Sequence, residues 1–185
     1  MEQNYSIRKD TKNYTLADIQ AEIEEDVQLL LLIGYNSVLT NIYTCTLNSR
    51  AKRRLGRCTR IGENRYEISI NSEYLKMASP ESVHNTIMHE VIHSIKGCMN
   101  HGPKWKKAAE DVNENYKFTE ISRVANLKED KEYQNHIQSK YKYTIECQKC
   151  HTKWNYFRKT KTYNACKSGR AHCSCGSRNF ICREL

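Results

Sequence analysis

The sequence predicts a mixed α+β core followed by a small metal-stapled module, and three observations carry that expectation. Apolar residues recur at helical spacing over residues 16–33 and 80–96. Two stretches between them, 38–47 and 65–70, alternate in the manner of strands. Beyond residue 130 the chain changes character: residues 1–130 carry 18 Lys and Arg against 18 Asp and Glu, whereas 131–185 carry 12 against 3. The whole formal charge of +9 therefore belongs to the tail, which also holds two close cysteine pairs. We expect a core over residues 1–130 and a basic zinc-ribbon module over 131–185. A chain of 185 residues has room for one compact domain of about 120–140 residues and such an appendix.

Each element follows from local chemistry. Leu16 to Ile33 reads as an amphipathic helix capped by Thr15, with Ile19, Ile23, Val27 and Leu30 on one stripe. The second strand stretch contains Tyr66-Glu67-Ile68-Ser69-Ile70. Between the strands, Asn48 to Gly62 carries Arg50, Lys52, Arg53, Arg54, Arg57 and Arg60. It reads as a solvated connection near the cleft, with a phosphate-facing patch as the alternative. Ser79-Pro80-Glu81 is a helix start: Ser caps, Pro sits in the first turn, and the acid meets the positive end of the helix dipole. Val83, Ile87, Val91 and Ile95 then recur every four residues and bury one side as far as about residue 96, where Gly97 stops the helix. Gly102-Pro103 opens another helix, with Trp105, Ala108, Ala109, Val112 and Tyr116 at helical spacing.

The chemistry concentrates in His89-Glu90-Val91-Ile92-His93, followed after a short run by His101. Residues four apart on a helix share a face, so His89 and His93 can present ring nitrogens to one metal ion. The turn after the helix lets the chain double back and bring His101 toward it. Three neutral nitrogens with one open position make a catalytic zinc site, and Glu90, beside His89, is placed as general base. A zinc ion so held would acidify a water and polarise a peptide carbonyl, while Glu90 moves the proton from the attacking water to the leaving amine.

A second, structural zinc is expected in the tail. Cys147-Gln148-Lys149-Cys150 is a C-x-x-C knuckle, and Cys173-Ser174-Cys175-Gly176 closes the loop with a C-x-C pair, one residue short of the usual spacing. Cys147, Cys150, Cys173 and Cys175 are the favoured ligands. His172 in place of Cys173 keeps the x-x spacing, and Cys166 is another contender for the fourth position. Cys45, Cys58 and Cys98 have no ligand-like spacing and read as small core residues. Around the tail cysteines lie Tyr141, Tyr143, Trp154, Tyr156, Phe157 and Tyr163, with Arg158-Lys159-Thr160-Lys161 as the densest basic run, read as a hairpin or loop. Basic side chains that release counterions from phosphates, interleaved with aromatic faces that stack on bases, suit a nucleic-acid surface. The alternative is that these aromatics form the ribbon's own minimal core.

The composition limits the remaining classes. The longest aliphatic run, Leu29 to Ile33, is far short of the roughly 20 residues of a membrane span. Met1 to Asp10 lacks the apolar centre of a signal peptide. Nine cysteines, an odd number, without an export signal indicate reduced thiols and metal binding, so the expected compartment is cytoplasmic.

The His-Glu-Val-Ile-His run, His101-Gly102, Leu55-Gly56-Arg57-Cys58 with its following Ile68-Ser69-Ile70 strand, and the Tyr-rich approach to Cys147-x-x-Cys150 together resemble the SprT-like family. The resemblance spans roughly residues 15–185, and the order of protease core then zinc ribbon is its more specific part. It implies a small gluzincin-like α+β zincin core. For the characterised eukaryotic branch it implies a DNA-activated metalloprotease that degrades proteins crosslinked to DNA. The family's histidine ligands and general-base glutamate carry over onto His89, His93, His101 and Glu90. The expected function is zinc-dependent hydrolysis of protein substrates, with DNA, single-stranded included, as the expected partner. Two alternatives stand beside it: a non-catalytic nucleic-acid-binding zinc protein or regulator, and a metallo-hydrolase whose tail recruits a protein partner.

Overall fold

A computed structural model of the chain describes residues 14–116 and 120–185. Met1 to Asp10, the stretch read above for a leader, lies outside the described residues. The chain divides into two compact units, Met1–Gln134 and Asn135–Leu185.

In the first unit, α1 (Leu16–Leu32) opens on a capping box: the Asp18 amide donates to the Thr15 hydroxyl at 3.3 Å, and the Thr15 amide donates to the Asp18 carboxylate at 2.9 Å. Ile19, Ile23, Leu29 and Leu30 face the core, while Val27 is only half-buried; Glu22 and Asp26 share the buried face instead. A single 3₁₀ turn, Asn36–Val38, delays the first strand, so β1 runs Ile42–Asn48 rather than from residue 38.

The segment expected as a connection is a strand, β2 (Gly56–Gly62), paired antiparallel to β3 (Arg65–Asn71), which in turn runs parallel to β1. The sheet order β1-β3-β2 leaves β2 at an edge. Its polar composition hides it from a periodicity search, because pairing with β3 rather than a buried face makes it a strand. β3 is central and buries Tyr66, Ile68 and Ile70 at period 2. The Leu55 carbonyl accepts from the Asn71 amide at 2.8 Å. Leu55, Arg57 and Thr59 therefore turn their backbone groups to β3, and Gly56, Cys58 and Arg60 turn theirs to the free edge.

Asn71 caps α2 (Ser72–Met77), and Ser79 caps α3 (Pro80–Ile92), its hydroxyl accepting from the Ser82 amide at 3.3 Å. Val83, Ile87, Val91 and Ile95 are buried as the spacing predicts. The helix ends at Ile92 rather than near residue 96, since Ser94 and Ile95 bond back three residues, to Val91 and Ile92. Gly97, at φ 89°, turns the chain further on instead of capping the helix directly. His84 of α3 meets the buried acids of α1, its Nδ1 lying 3.1 Å from Glu22 Oε1 and 3.8 Å from Asp26 Oδ1. α4 (Pro103–Asn115) buries Trp105, Ala108, Ala109 and Val112, and Tyr116 caps it with its hydroxyl on the Leu29 carbonyl. Tyr133 of α5 (Lys131–Ser139) packs edge-on against Tyr74.

The second unit is an antiparallel three-stranded sheet of order β5-β4-β6, from β4 (Tyr143–Cys147), β5 (Lys153–Tyr156) and β6 (Phe180–Glu184), with α6 (Lys161–Lys167) between the last two in sequence. Ile145, Tyr163 and Cys166 form its centre, and Tyr143, Trp154, Tyr156 and Phe180 pack on them. Four of the six aromatics considered for base stacking thus build the ribbon's own core. Tyr141 and Phe157 stack on each other at 4.7 Å. Of the two forms expected for the Arg158–Lys161 run, the loop holds and the hairpin does not: it leads from a bend into α6, whose N-cap hydroxyl is Thr160. Among the described residues no helix is long and apolar enough to cross a membrane.

Candidate metal and catalytic centre

α3 places His89 one turn before its end. His93 is the C-cap residue yet keeps right-handed helical dihedrals, φ −60° and ψ −21°, so the i, i+4 relation survives. The loop carrying His101 folds back as expected. His101 Nε2 lies 2.9 Å from His89 Nε2 and 3.2 Å from His93 Nε2. A tetrahedral zinc with bonds of about 2.0–2.1 Å sets its nitrogens about 3.3 Å apart, close to this arrangement.

The opposite ring nitrogens decide the tautomers. His89 Nδ1 faces the Ser122 carbonyl at 3.0 Å and His93 Nδ1 the Cys98 carbonyl at 2.7 Å. A carbonyl only accepts, so each Nδ1 carries the proton and each Nε2 presents a lone pair inward. Burial, then the neighbouring His93 and His101 rings, hold His89 down to about 4, against the Ser122 carbonyl. Burial likewise lowers His93 and His101. Three neutral donors aimed at one point repel one another unless a cation lies among them, and this donor set fits zinc. The Trp105 ring, 1% exposed, stands 4.7 Å from His89 and 4.6 Å from His101, forming an apolar backing that limits ring movement.

Glu90 points to β2. Its Oε2 accepts from the Cys58 amide at 2.7 Å, one of the free-edge groups of that strand. Burial raises the Glu90 carboxyl to about 7, opposed by the Cys58 amide and the Arg54 charge. His89, Glu90, His93 and His101 open on a cleft of about 370 Å³, walled by β2 on one side and by residues 120–125 on another. Cys58 lines this cleft rather than filling core. Burial and then the Glu90 charge push its thiol up to about 12, so it stays neutral. Cys45 is half-buried with its sulfur against the Leu16 carbonyl, and of these three cysteines Cys98 alone is a buried core residue.

Three participants escaped sequence reasoning. Ser122 belongs to a segment without periodicity, held in place by Asn113, whose side chain bonds both backbone groups of Ile121, and by Asn85, which accepts from the Glu120 amide. Trp105 was visible as a helix-core residue but not as a wall of the site. Gly56 approaches Glu90 closely, and no local pattern marks that.

In the second unit Cys147, Cys150, Cys173 and Cys175 converge, with Sγ separations of 3.6 Å between Cys147 and Cys175 and 3.5 Å between Cys150 and Cys173. Zinc–sulfur bonds of about 2.3 Å place tetrahedral thiolates about 3.8 Å apart. The alternatives lie elsewhere: His172 Nε2 accepts from Arg178 Nε, and Cys166 sits in the apolar centre. The short C-x-C pair closes through a turn in which the Gly176 amide donates to the Cys173 carbonyl and Gly176 takes φ 82°. The Thr152 hydroxyl and then its amide bring the Cys150 thiol down to about 6, toward the thiolate a metal requires.

Residues 32–126, which hold the three imidazoles, Glu90 and both walls of the cleft, match the SprT-like family. The chain belongs to the SprT-like family. The matched segment covers just over half of the 185 residues and makes this part of the protein a metallopeptidase-like domain. The SprT-like match ends before the cysteine unit. No curated protein matches the sequence.

Proposed function

We propose that this SprT-like protein is a zinc-dependent peptidase acting on protein substrates associated with DNA. The observation that carries the peptidase part is the convergence of three Nε2 atoms beside a buried carboxylate anchored to an open strand edge. His89, His93 and His101 would hold the ion, which when bound supplies Lewis acidity. Glu90 Oε2 is engaged by the Cys58 amide, so Oε1 takes the proton of the attacking water and later returns it to the leaving amine. Burial that lifts Glu90 toward 7 suits a base working near neutrality, and a cation alongside pulls it lower. Gly56 and Arg60 direct backbone donors and acceptors to the same free edge, which supports an extended peptide as the substrate.

The DNA association is supported by charge: residues 131–185 carry 12 basic against 3 acidic side chains. Four thiolates with one zinc ion leave that region strongly basic. With most tail aromatics committed to the core, phosphate contact is better supported than base stacking.

The test is metal analysis of the parent, Glu90→Gln, His93→Ala and Cys150→Ser proteins, with hydrolysis of an unfolded protein measured with and without single-stranded DNA. Glu90→Gln is expected to keep zinc and lose about 10²–10⁴-fold in rate. Equal turnover by parent and Glu90→Gln would remove the peptidase reading. DNA binding is expected to weaken steeply with salt, and a salt-insensitive or absent mobility shift would remove the DNA reading.

A further inference from the structure

The base in this site is oriented by a strand rather than by another side chain. Glu90 Oε2 takes the Cys58 amide at 2.7 Å. Near the other oxygen, Oε1, the same strand carries no side chain, because residue 56 is glycine. A Cβ built on Gly56 would lie 2.7 Å from Glu90 Cγ, 2.8 Å from Glu90 Oε1 and 3.0 Å from Thr86 Cγ2. Gly56 is a regular strand residue, so space is what demands glycine there. Thr86 stands one helical turn before Glu90, and its hydroxyl is paired with the Tyr74 hydroxyl at 3.0 Å, leaving its methyl toward Gly56. The Glu90 side chain therefore passes through a slot between α3 and the free edge of β2, and its carboxylate is held there by one main-chain hydrogen bond.

We propose that Gly56 and the Cys58 amide are positioning elements for Glu90, fixing where its free oxygen meets the attacking water. This rests on the peptidase reading of the site. The strand phase makes the idea testable without breaking the sheet. The Cys58 amide faces the free edge, so proline at 58 replaces that one donor with a ring Cδ that displaces Glu90 Oε2, while the bonds to β3, made by residues 57 and 59, remain. Arg57, the residue before it, is already extended, as a following proline requires. In Gly56→Ala the atoms met are those of a side chain rather than of backbone, so Glu90 shifts instead of the sheet.

The experiment compares zinc content, thermal midpoint, kcat and KM of zinc-loaded parent, Cys58→Ala, Cys58→Pro and Gly56→Ala. Cys58→Ala keeps the amide and serves as the reference for loss of the thiol. Cys58→Pro is expected to fall about tenfold below that reference in kcat, the scale of one hydrogen bond to a charged group. Gly56→Ala is expected to lose about 100-fold in kcat, as displacements of about 1 Å at a reacting group do. Both should keep full zinc and a nearly parental KM. A crystal structure of zinc-loaded Gly56→Ala supplies a readout independent of turnover: the carboxylate moved, the three imidazoles in place. Parental kcat in Gly56→Ala, or an unmoved carboxylate, overturns the proposal. Cys58→Pro equal to Cys58→Ala overturns the role of the amide. If the parent itself shows no zinc-dependent hydrolysis, the peptidase reading fails, while the crystal structure still decides whether Gly56 sets the carboxylate.

Discussion

The two candidate metal-binding clusters of this protein draw their order from opposite sources. The three imidazoles sit on a unit with its own core, including Ile68, Ile87, Ile92 and Trp105, and are held by carbonyls, an indole and a helix. In the cysteine unit the buried apolar residues are Ile145, Cys147, Tyr163, Cys166 and Cys173, and two of those five are themselves candidate ligands. With zinc in both, the first cluster, already arranged by its fold, would use the ion for chemistry, and the second would use it for the fold. Donor type agrees with this division: neutral nitrogens leave the charge of an ion available to a substrate, whereas four thiolates neutralise it.

Metal removal should separate them most sharply. Structural zinc in small finger modules is worth about 10–16 kcal/mol, so chelation or Cys150→Ser is expected to unfold residues 135–185, read as loss of their dispersed amide resonances. In Cys150→Ser the first unit should keep its thermal midpoint to within a few degrees and its imidazole-bound zinc, whereas chelation should abolish hydrolysis. A metal-free second unit with an intact sheet would break the comparison. Next in size, Trp105→Ala is expected to cost the first unit about 3–5 kcal/mol in denaturant unfolding and to weaken its zinc affinity, leaving zinc in the cysteine cluster unchanged. Unaltered affinity would show that the indole serves the core alone.

Smaller still are the two threonine caps. Thr15→Ala should cost the first unit about 1 kcal/mol, by loss of the capping box on α1, with its zinc content unchanged. Thr160→Ala removes the cap of the seven-residue α6 and should show only while the second unit is metal-loaded. Equal effects with and without metal would argue that the ribbon is ordered by its helix.

The subtlest contrast is the sign of the pH dependence. Burial, then Glu22 and Glu25, raise the Asp26 carboxyl well above its usual range. Its folded value exceeds its unfolded one, so the stability it contributes is complete below about pH 4 and is lost as pH rises through the folded value. Asp26→Asn should therefore stabilise the first unit at neutral pH and flatten that slope. Cys150 is shifted the other way, by the Thr152 hydroxyl and amide and, in the metal-loaded unit, further by the ion, so its contribution is present above the unfolded thiol value of about 8.5 and is lost as pH falls through the lowered folded value. Urea titrations at several pH values, following each unit separately, should give opposite slopes. Parallel slopes would show that other groups dominate one of the units.

The parts of the fold legible in sequence were those governed by neighbours along the chain. The Thr15 and Ser79 caps, the stripe Val83, Ile87, Val91 and Ile95, and the four-residue interval between His89 and His93 all follow from helix geometry. The helix end was overrun because Ser94 bonds back three residues and takes the Tyr43 hydroxyl, a partner 51 positions away. β2 reads as a connection in sequence because its seven residues have no alternating face; an edge strand can be polar when its central partner supplies the hydrogen bonds. On α1 the expected Val27 position yields to Glu22 and Asp26, which burial against His84 makes interior residues.

Taken alone, the amino-acid order determined which atoms could bind metal, since short intervals along a helix or within a knuckle set donor spacing within a few residues. Tertiary structure decided how those atoms are used. It tied the His89 and His93 protons to carbonyls 33 and 5 residues away, brought a main-chain amide 32 residues distant onto Glu90, and required glycine at 56. It also gathered Cys173 rather than His172 into the thiol cluster and placed most tail aromatics in a core. Contacts between segments far apart in the chain depend on how whole elements pack, which no local pattern encodes.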